Sequence, residues 1–393
     1  MSRVQGAVSM TVVHLVPALE QGGVERVVCD LNRALVRAGR RSVVISRGGR
    51  LVARVCAEGG THVALDLKSK NPLTALTRAW RLRKALRAQA GAEGRCGAKP
   101  ERILVCAHSR VPAWLFVLAR RLDSLLGPFC RPTLPSFPFI TYAHGANSVS
   151  CYSAVMTTGN RVIVPSQFLA DYLMANYGEG LVGRIRVIRP AVDLARFDPA
   201  NLDGDFVAAK RREWGLRPGD RVVMAIGRLT PVKGFDHLIR DLAGRLDITP
   251  DAGWGDALRA PRTKLVIVGE ADWGKAAYAR GLKDLAASLG VADRVVFAGG
   301  QTKVPECLSL ADLVVSGNVT KPESFGLSVA EALAMDKPVR LLRQFGGAAE
   351  ILEGVASARR PTLREAVRAL CDPERALRGT LTAYDEACDV KAL

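Results

Sequence analysis

Short apolar runs, each followed by a turn and then by an amphipathic stretch, recur along this chain. The first run, 11–16, leads through Gly22-Gly23 into a segment with Val27, Val28, Leu31 and Leu35 at helical spacing. Further runs follow at 42–46, 103–107, 139–143 and 162–165. Around Ile188-Arg189-Pro190-Ala191-Val192-Asp193 and Phe197-Asp198-Pro199 the pattern turns linker-like. A second series then begins. A run at 221–227 precedes a helix marked by Phe235, Leu238, Ile239, Leu242 and Leu246, and runs at 264–269, 294–299 and 313–316 alternate with further helices. Segments 90–100 and 249–263 read as surface loops.

Short apolar strands alternating with helices predict parallel sheets covered on both faces. The expected fold is therefore α/β, with two Rossmann-like doubly wound domains at residues 1–190 and 191–365 and a helical segment at 366–393. Ligands of such sheets bind beyond the carboxyl ends of the strands, so two domains would face a central cleft.

Composition narrows the class. A length of 393 residues allows two domains with a core each, and the low aromatic share suits a soluble globular protein. The nine cysteines form no C-x-x-C pair, which reads as reduced thiols and a cytoplasmic setting. The apolar stretch behind Arg3 is interrupted by His14 and Pro17 and reads as a first buried strand rather than a leader. Prolines, serines and threonines in the uncharged span between Arg131 and Arg161 exclude a membrane helix there.

A formal charge of +18 points to an anionic partner. No nucleic-acid recognition module is evident, which leaves nucleotide phosphates and anionic lipid. Much of the charge sits in 78–87, where Leu76, Trp80, Leu82 and Leu86 can share an apolar face with arginines around it. That segment is either the solvated face of a packed helix or a helix resting on an anionic membrane surface.

Candidate chemistry falls at strand exits. Arg228 follows the 221–227 run, and Lys233 stands at the start of the next helix, with Gly227 and Gly234 clearing space; a fork and an ammonium on one turn suit a diphosphate. Gly22-Gly23 lets backbone approach a ligand at a helix N-terminus, but it is not a G-x-G-x-x-G fingerprint. His108 and His144 each follow an apolar run and would stand on the rim of the first sheet, able to hydrogen-bond a hydroxyl. His14, inside the first strand, reads as a packed core histidine. Glu323 in a turn and Glu331 in a helix flank Phe325, Gly326 and Leu327; carboxylates there suit sugar or ribose hydroxyls. Asp203-Gly204-Asp205 has no strand before it and reads as a loop, and no cluster has metal-ligand spacing.

Taken in order, Gly22-Gly23, Gly227-Arg228, Lys233-Gly234, Glu323-x7-Glu331 within Pro-Glu-x-Phe-Gly, and Gly346-Gly347-Ala348-Ala349-Glu350-Ile351 resemble the retaining GT-B glycosyltransferases of family 4. His108-Ser109-Arg110 and His144-Gly145 look like bacterial members that build lipopolysaccharide or other surface glycans. The resemblance implies transfer of a sugar from a nucleotide-diphosphate donor to a glycan or lipid-linked acceptor. It implies that Arg228 and Lys233 neutralise the diphosphate, that Glu331 holds the ribose and that Glu323 contacts the donor sugar. Gly23 would admit the leaving phosphate, His144 would bond the transferred sugar or acceptor, and His108, Ser109 and Arg110 would line the acceptor rim. Neither a metal nor another cofactor is implied, the donor being a co-substrate. The final segment would cross back to the first domain. The implied setting is the cytoplasm, with peripheral contact at the inner face of the membrane.

Asp336 stands where relatives place glycine to end a helix, and Arg340 and Arg343 fall in a strand that is normally small and apolar. These departures bear on the packing of that strand and on the donor pocket. A nucleotide-sugar epimerase of the same fold and a non-catalytic nucleotide-sugar-binding protein are the competing readings.

Overall fold

The computed structural model describes residues 10–20, 22–91, 102–126, 134, 137–252, 254–271 and 276–389. The first sheet contains β1 (Met10–Leu15), β2 (Arg41–Ser46), β3 (Thr61–Ala64), β4 (Arg102–Ala107), β5 (Phe139–Tyr142), β6 (Arg161–Val164) and β7 (Ile185–Val187), in the order β3-β2-β1-β4-β5-β6-β7. The second contains β8 (Arg221–Ile226), β9 (Thr263–Val268), β10 (Val295–Gly299), β11 (Leu313–Ser316) and β12 (Val339–Leu341), in the order β10-β9-β8-β11-β12. All pairings are parallel, as crossover helices require. β1 and β5 are buried along their whole length, which is why they read as continuous apolar runs rather than alternating ones. The edge strands β3 and β7 escape the sequence pattern because one is half-polar Thr-His-Val-Ala and the other has three residues.

Contacts divide the chain into two compact units: residues up to Ile188 together with those from Glu374 onward, and Arg189–Pro373. The helix Leu363–Leu370 therefore packs within the second unit, where Ala366 and Val367 join the core, while the helix Pro373–Asp389 packs in the first. Tyr384 on that last helix is fully buried, and its hydroxyl meets that of Tyr142 at 2.7 Å. Glu386 receives hydrogen bonds from Arg161 at 2.7 Å and Arg186 at 2.8 Å.

The basic segment departs from expectation. Within the helix Ala75–Gly91, Leu82 and Leu86 are buried in the first unit's core and do not share the outer face of Leu76 and Trp80. Arg83 and Arg87 donate to the buried carboxylate of Asp123 on the helix Arg110–Leu126, each through a 2.7 Å ion pair, and Leu134 N donates to the same carboxylate. Arg78 is buried and donates to Asn71 O at 2.8 Å. An unpaired carboxylate inside a core is costly, so Arg83 and Arg87 hold two helices together rather than facing solvent. The outer face consists of Leu73, Leu76, Trp80, Arg81 and Lys84, with the first three 88%, 58% and 49% exposed. The proposed surface loop at 90–100 lies almost wholly outside the described residues.

Segment 249–263 is not merely a surface loop either. Trp254, Ala257 and Leu258 are buried in the second unit's core, and Trp254 Nε1 donates to the buried Asp241 at 2.9 Å. The two arginines of the β12 region account for this: Arg340 donates to Trp254 O at 2.7 Å, and Arg343 pairs with Asp251 at 2.9 Å. Two unusual features of the sequence are thus halves of one clamp. Asp336 adopts the left-handed conformation that favours glycine, with φ 54°, and its carboxylate accepts from Arg364 N at 2.9 Å. That bond offsets part of the cost of a β-carbon in this conformation. Asp203 is a helix N-cap rather than a loop residue: it accepts from Phe206 N at 3.0 Å and pairs with Lys303 at 2.5 Å.

Candidate active site

Each sheet reverses its strand order once, and ligands of open α/β sheets bind at that switch point. In the second unit it lies between β8 and β11, so the turns after these strands run side by side. The turn after β8 carries Arg228, which is exposed, and Lys233, whose stem crosses Gly227 closely enough that a β-carbon there would sit 3.0 Å from Lys233 Cε. Gly234 has φ 61°, and any side chain on it would collide with the carbonyl of Gly317 at the end of β11. Glycine is required at that position because the two turns touch backbone to backbone.

The turn after β11 carries Glu323. Its carboxylate is bonded by Lys233 Nζ across the switch point, and its backbone carbonyl accepts from Gly347 N at 2.7 Å. Gly326, with φ 90° and Ala348 against it, turns the chain into the helix Leu327–Ala334. No side chain caps that helix N-terminus. Phe325 is anchored in the core, Leu327 packs against it partly buried, and Glu331 is 8% exposed within the helix. Arg228, Lys233, Glu323, Phe325, Gly326, Leu327 and Glu331 therefore gather at one end of one sheet, around adjacent strands.

The switch point of the first unit lies between β1 and β4. Gly22 is extended, with φ −167°, and precedes the helix Gly23–Arg37, whose N-terminus has no side-chain cap. A β-carbon on Gly23 would meet nothing within 4 Å, so space for a ligand exists there. Beyond β4, Ser109 is half-buried, and Arg110 reaches Ser153 Oγ at 3.1 Å while lying 5.2 Å over the ring of Tyr152. Trp114 and Tyr152 stack at 6.5 Å and are both partly exposed, a pair of rings beside a guanidinium.

His108 corrects the rim expectation. It is 2% exposed and stacks on Tyr142 at 4.4 Å. Its Nε2 lies 3.0 Å from Nδ1 of the fully buried His14, and its Nδ1 lies 3.0 Å from Nε2 of the half-buried His144. Burial lowers all three: His14 to about 3, His144 to about 4, and His108 well below the ordinary range, where its histidine neighbours add to the effect. His14 was expected to be packing alone. The available signal was the strand register, which places His14 opposite Cys106, two residues before His108 on the neighbouring strand. Among the described residues no group of three His, Cys, Asp or Glu side chains could hold a metal ion.

Residues 21–196 match the family model described as Glycosyltransferase Family 4, and residues 207–355 match Glycosyl transferases group 1. A D-inositol 3-phosphate glycosyltransferase of Mycolicibacterium gilvum is 39% identical over 89 residues, which are 23% of this chain and 19% of that protein. The chain therefore aligns with about a fifth of the length of this curated relative. A glycosyltransferase from Rickettsia africae superposes with a TM-score of 0.76 at 23% identity, over 98% of this chain and 100% of that one. Anabaena HepE, in complex with UDP and glucose, superposes with a TM-score of 0.68 at 19% identity, over 96% and 94%. At these identities the two structures speak for the fold. The superpositions show the GT-B fold, and each unit matches a glycosyltransferase family model. The family 4 match lies almost wholly in the first unit, and the second unit carries the group 1 match.

Proposed function

We propose that this chain transfers a sugar from a nucleotide-diphosphate donor to a glycan or lipid-linked acceptor with retention of configuration, in the synthesis of a cell-envelope polysaccharide or lipopolysaccharide. The observation that carries the reading is the Lys233–Glu323 pair at the second unit's switch point, with Arg228 on the same turn. Lys233 and Arg228 supply the positive charge a departing diphosphate needs, and Glu323 accepts from hydroxyls of the donor sugar. Glu331 holds the ribose, and the uncapped helix after Gly326 presents N–H groups to a phosphate oxygen. The sugar's C1–O bond to phosphate breaks as the acceptor oxygen bonds C1 from the same face. The acceptor's proton passes to the leaving phosphate oxygen. This route uses no metal and no protein nucleophile. The UDP and glucose bound by HepE support a nucleotide-sugar donor, and the D-inositol 3-phosphate glycosyltransferases support a hydroxyl acceptor.

We place the protein in the cytoplasm, in peripheral contact with anionic membrane. No described helix is long and apolar enough to cross a membrane. The support for contact is the outer stripe Leu73, Leu76, Trp80, Arg81 and Lys84, which presents apolar and basic groups together.

The test is a thermal-shift screen of nucleotide sugars, followed by mass spectrometry of products formed with envelope glycan acceptors in excess EDTA. A glycosylated product is expected. Conversion of the donor without an acceptor would favour the epimerase, binding without turnover would favour the binding protein, and activity lost to EDTA would overturn the metal-free route.

A further inference from the structure

The three histidines of the first unit form a single hydrogen-bonded file that starts in the core and ends near the surface. His14 lies on β1, His108 directly after β4, and His144 two residues after β5, so adjacent strands set their spacing. Every ring is neutral near pH 7, because burial holds all three below the ordinary histidine range. A neutral imidazole carries one N–H and one bare nitrogen. Two contacts of 3.0 Å then permit only two arrangements of protons along the file.

In the first, His14 Nδ1–H donates to His108 Nε2, and His108 Nδ1–H donates to His144 Nε2. In the second, every proton is reversed. The buried end discriminates between them. His14 Nε2 is enclosed and meets no partner among the described residues. The first arrangement leaves a bare nitrogen there, and the second leaves a buried N–H with nothing to receive it. Orphaned buried donors are rarer than under-satisfied acceptors, which favours the first.

We infer that His14 and His108 are positioning residues that hold His144 as its Nδ1–H tautomer, so that His144 presents a hydrogen-bond donor, and not a base, to a ligand oxygen beyond the end of β5, one strand from the first unit's switch point. The oxygen it recognises is an acceptor-type atom, a sugar hydroxyl or phosphoryl oxygen. That part rests on the transferase reading; the tautomer itself does not. The same file resists protonation of His144. A second proton on that ring would sit on Nε2, reverse both hydrogen bonds, and return the orphaned N–H to the core.

The experiment is long-range proton–nitrogen NMR of protein labelled with 15N-histidine at pH 7, which distinguishes the two tautomers directly. The Nδ1–H pattern is expected for His144 in the unmodified chain. His14→Phe removes the donor to His108 Nε2 and leaves that nitrogen bare at the buried end, so His144 is expected to keep the Nδ1–H pattern while the His108 Nε2 resonance moves to that of an unbonded nitrogen. His14→Asn restores an N–H close to the original Nδ1 and is expected to return the His108 Nε2 resonance to its hydrogen-bonded position. An Nε2–H tautomer at His144 in the unmodified protein would overturn the inference, as would a His108 Nε2 resonance unchanged in His14→Phe. With a donor in hand, His14→Phe should lower kcat by about tenfold, the worth of one hydrogen bond, and His14→Asn should recover it. Absence of transfer by a protein that shows the Nδ1–H pattern would sink the transferase reading and leave the tautomer assignment standing.

Discussion

Lys233 and Glu323, ninety positions apart in sequence, form an ion pair across the point where the second sheet reverses its strand order. In the proposed function each partner is half of a donor site: a cation for phosphate and an acceptor for hydroxyls. In the absence of a donor each satisfies the other. On that proposal an arriving diphosphate would compete with Glu323 for Lys233 and release the carboxylate to sugar hydroxyls.

Lys233→Ala and Glu323→Ala should therefore each lower transfer by about a hundredfold or more, the usual cost of losing a group that stabilises a developing anion. Both side chains are partly exposed, at 26% and 16%, so the variants should remain folded. Product formation with the natural donor, beside a thermal melt, checks this. Full activity in either variant would remove the pair from the mechanism.

The histidine file predicts a stability limit on the acid side. His14 has a folded pKa of about 3 against roughly 6.5 when unfolded. Because the unfolded chain binds the proton more readily, stability is fully present above about pH 6.5 and declines as pH falls toward 3. At pH 5 the loss attributable to His14 alone is roughly 2 kcal/mol. Denaturant unfolding between pH 7 and pH 5 should show this loss, and His14→Phe should lack that share of it. Equal slopes in the two proteins would refute the assignment.

The outer stripe of the basic helix predicts binding to vesicles that contain anionic lipid. Neutralising Arg81 and Lys84 together should weaken co-sedimentation roughly tenfold or more, at about 1 kcal/mol per cation. Trp80→Ala should weaken it further. Unchanged sedimentation would exclude this face. Arg83→Gln offers a contrast: it removes a partner from the buried Asp123 and should lower stability instead.

Asp123 itself is the sharper stability test. Asp123→Ala leaves Arg83 and Arg87 without their buried carboxylate and should cost roughly 3–5 kcal/mol. A denaturation midpoint within error of the unmodified protein would contradict the role of these residues as a tie between helices.

The division between what was legible in the sequence and what was not follows from the range of the interactions. Strands β1, β2, β4, β8, β9 and β11 are visible as apolar runs because a parallel strand buried on both faces must be apolar along its length. The turn residues Arg228, Lys233, Gly234, Glu323 and Gly326 are visible because their chemistry and spacing are local. The partial strands β3 and β7 are not, since edge positions impose no such pattern.

Contacts between distant segments are another matter. That Arg340 and Arg343 clamp segment 249–263, that Asp123 gathers Arg83 and Arg87, and that His14 belongs to a file with His108 and His144 all depend on strand order and helix packing. A periodic pattern reports which face of an element is buried, not what it is buried against. The sequence by itself determined two doubly wound units and the residues that gather at the second unit's switch point. Only the tertiary structure decided which charges face solvent, which are consumed in holding helices together, and which nitrogen of His144 carries its proton, because those depend on partners that the chain brings together from far apart.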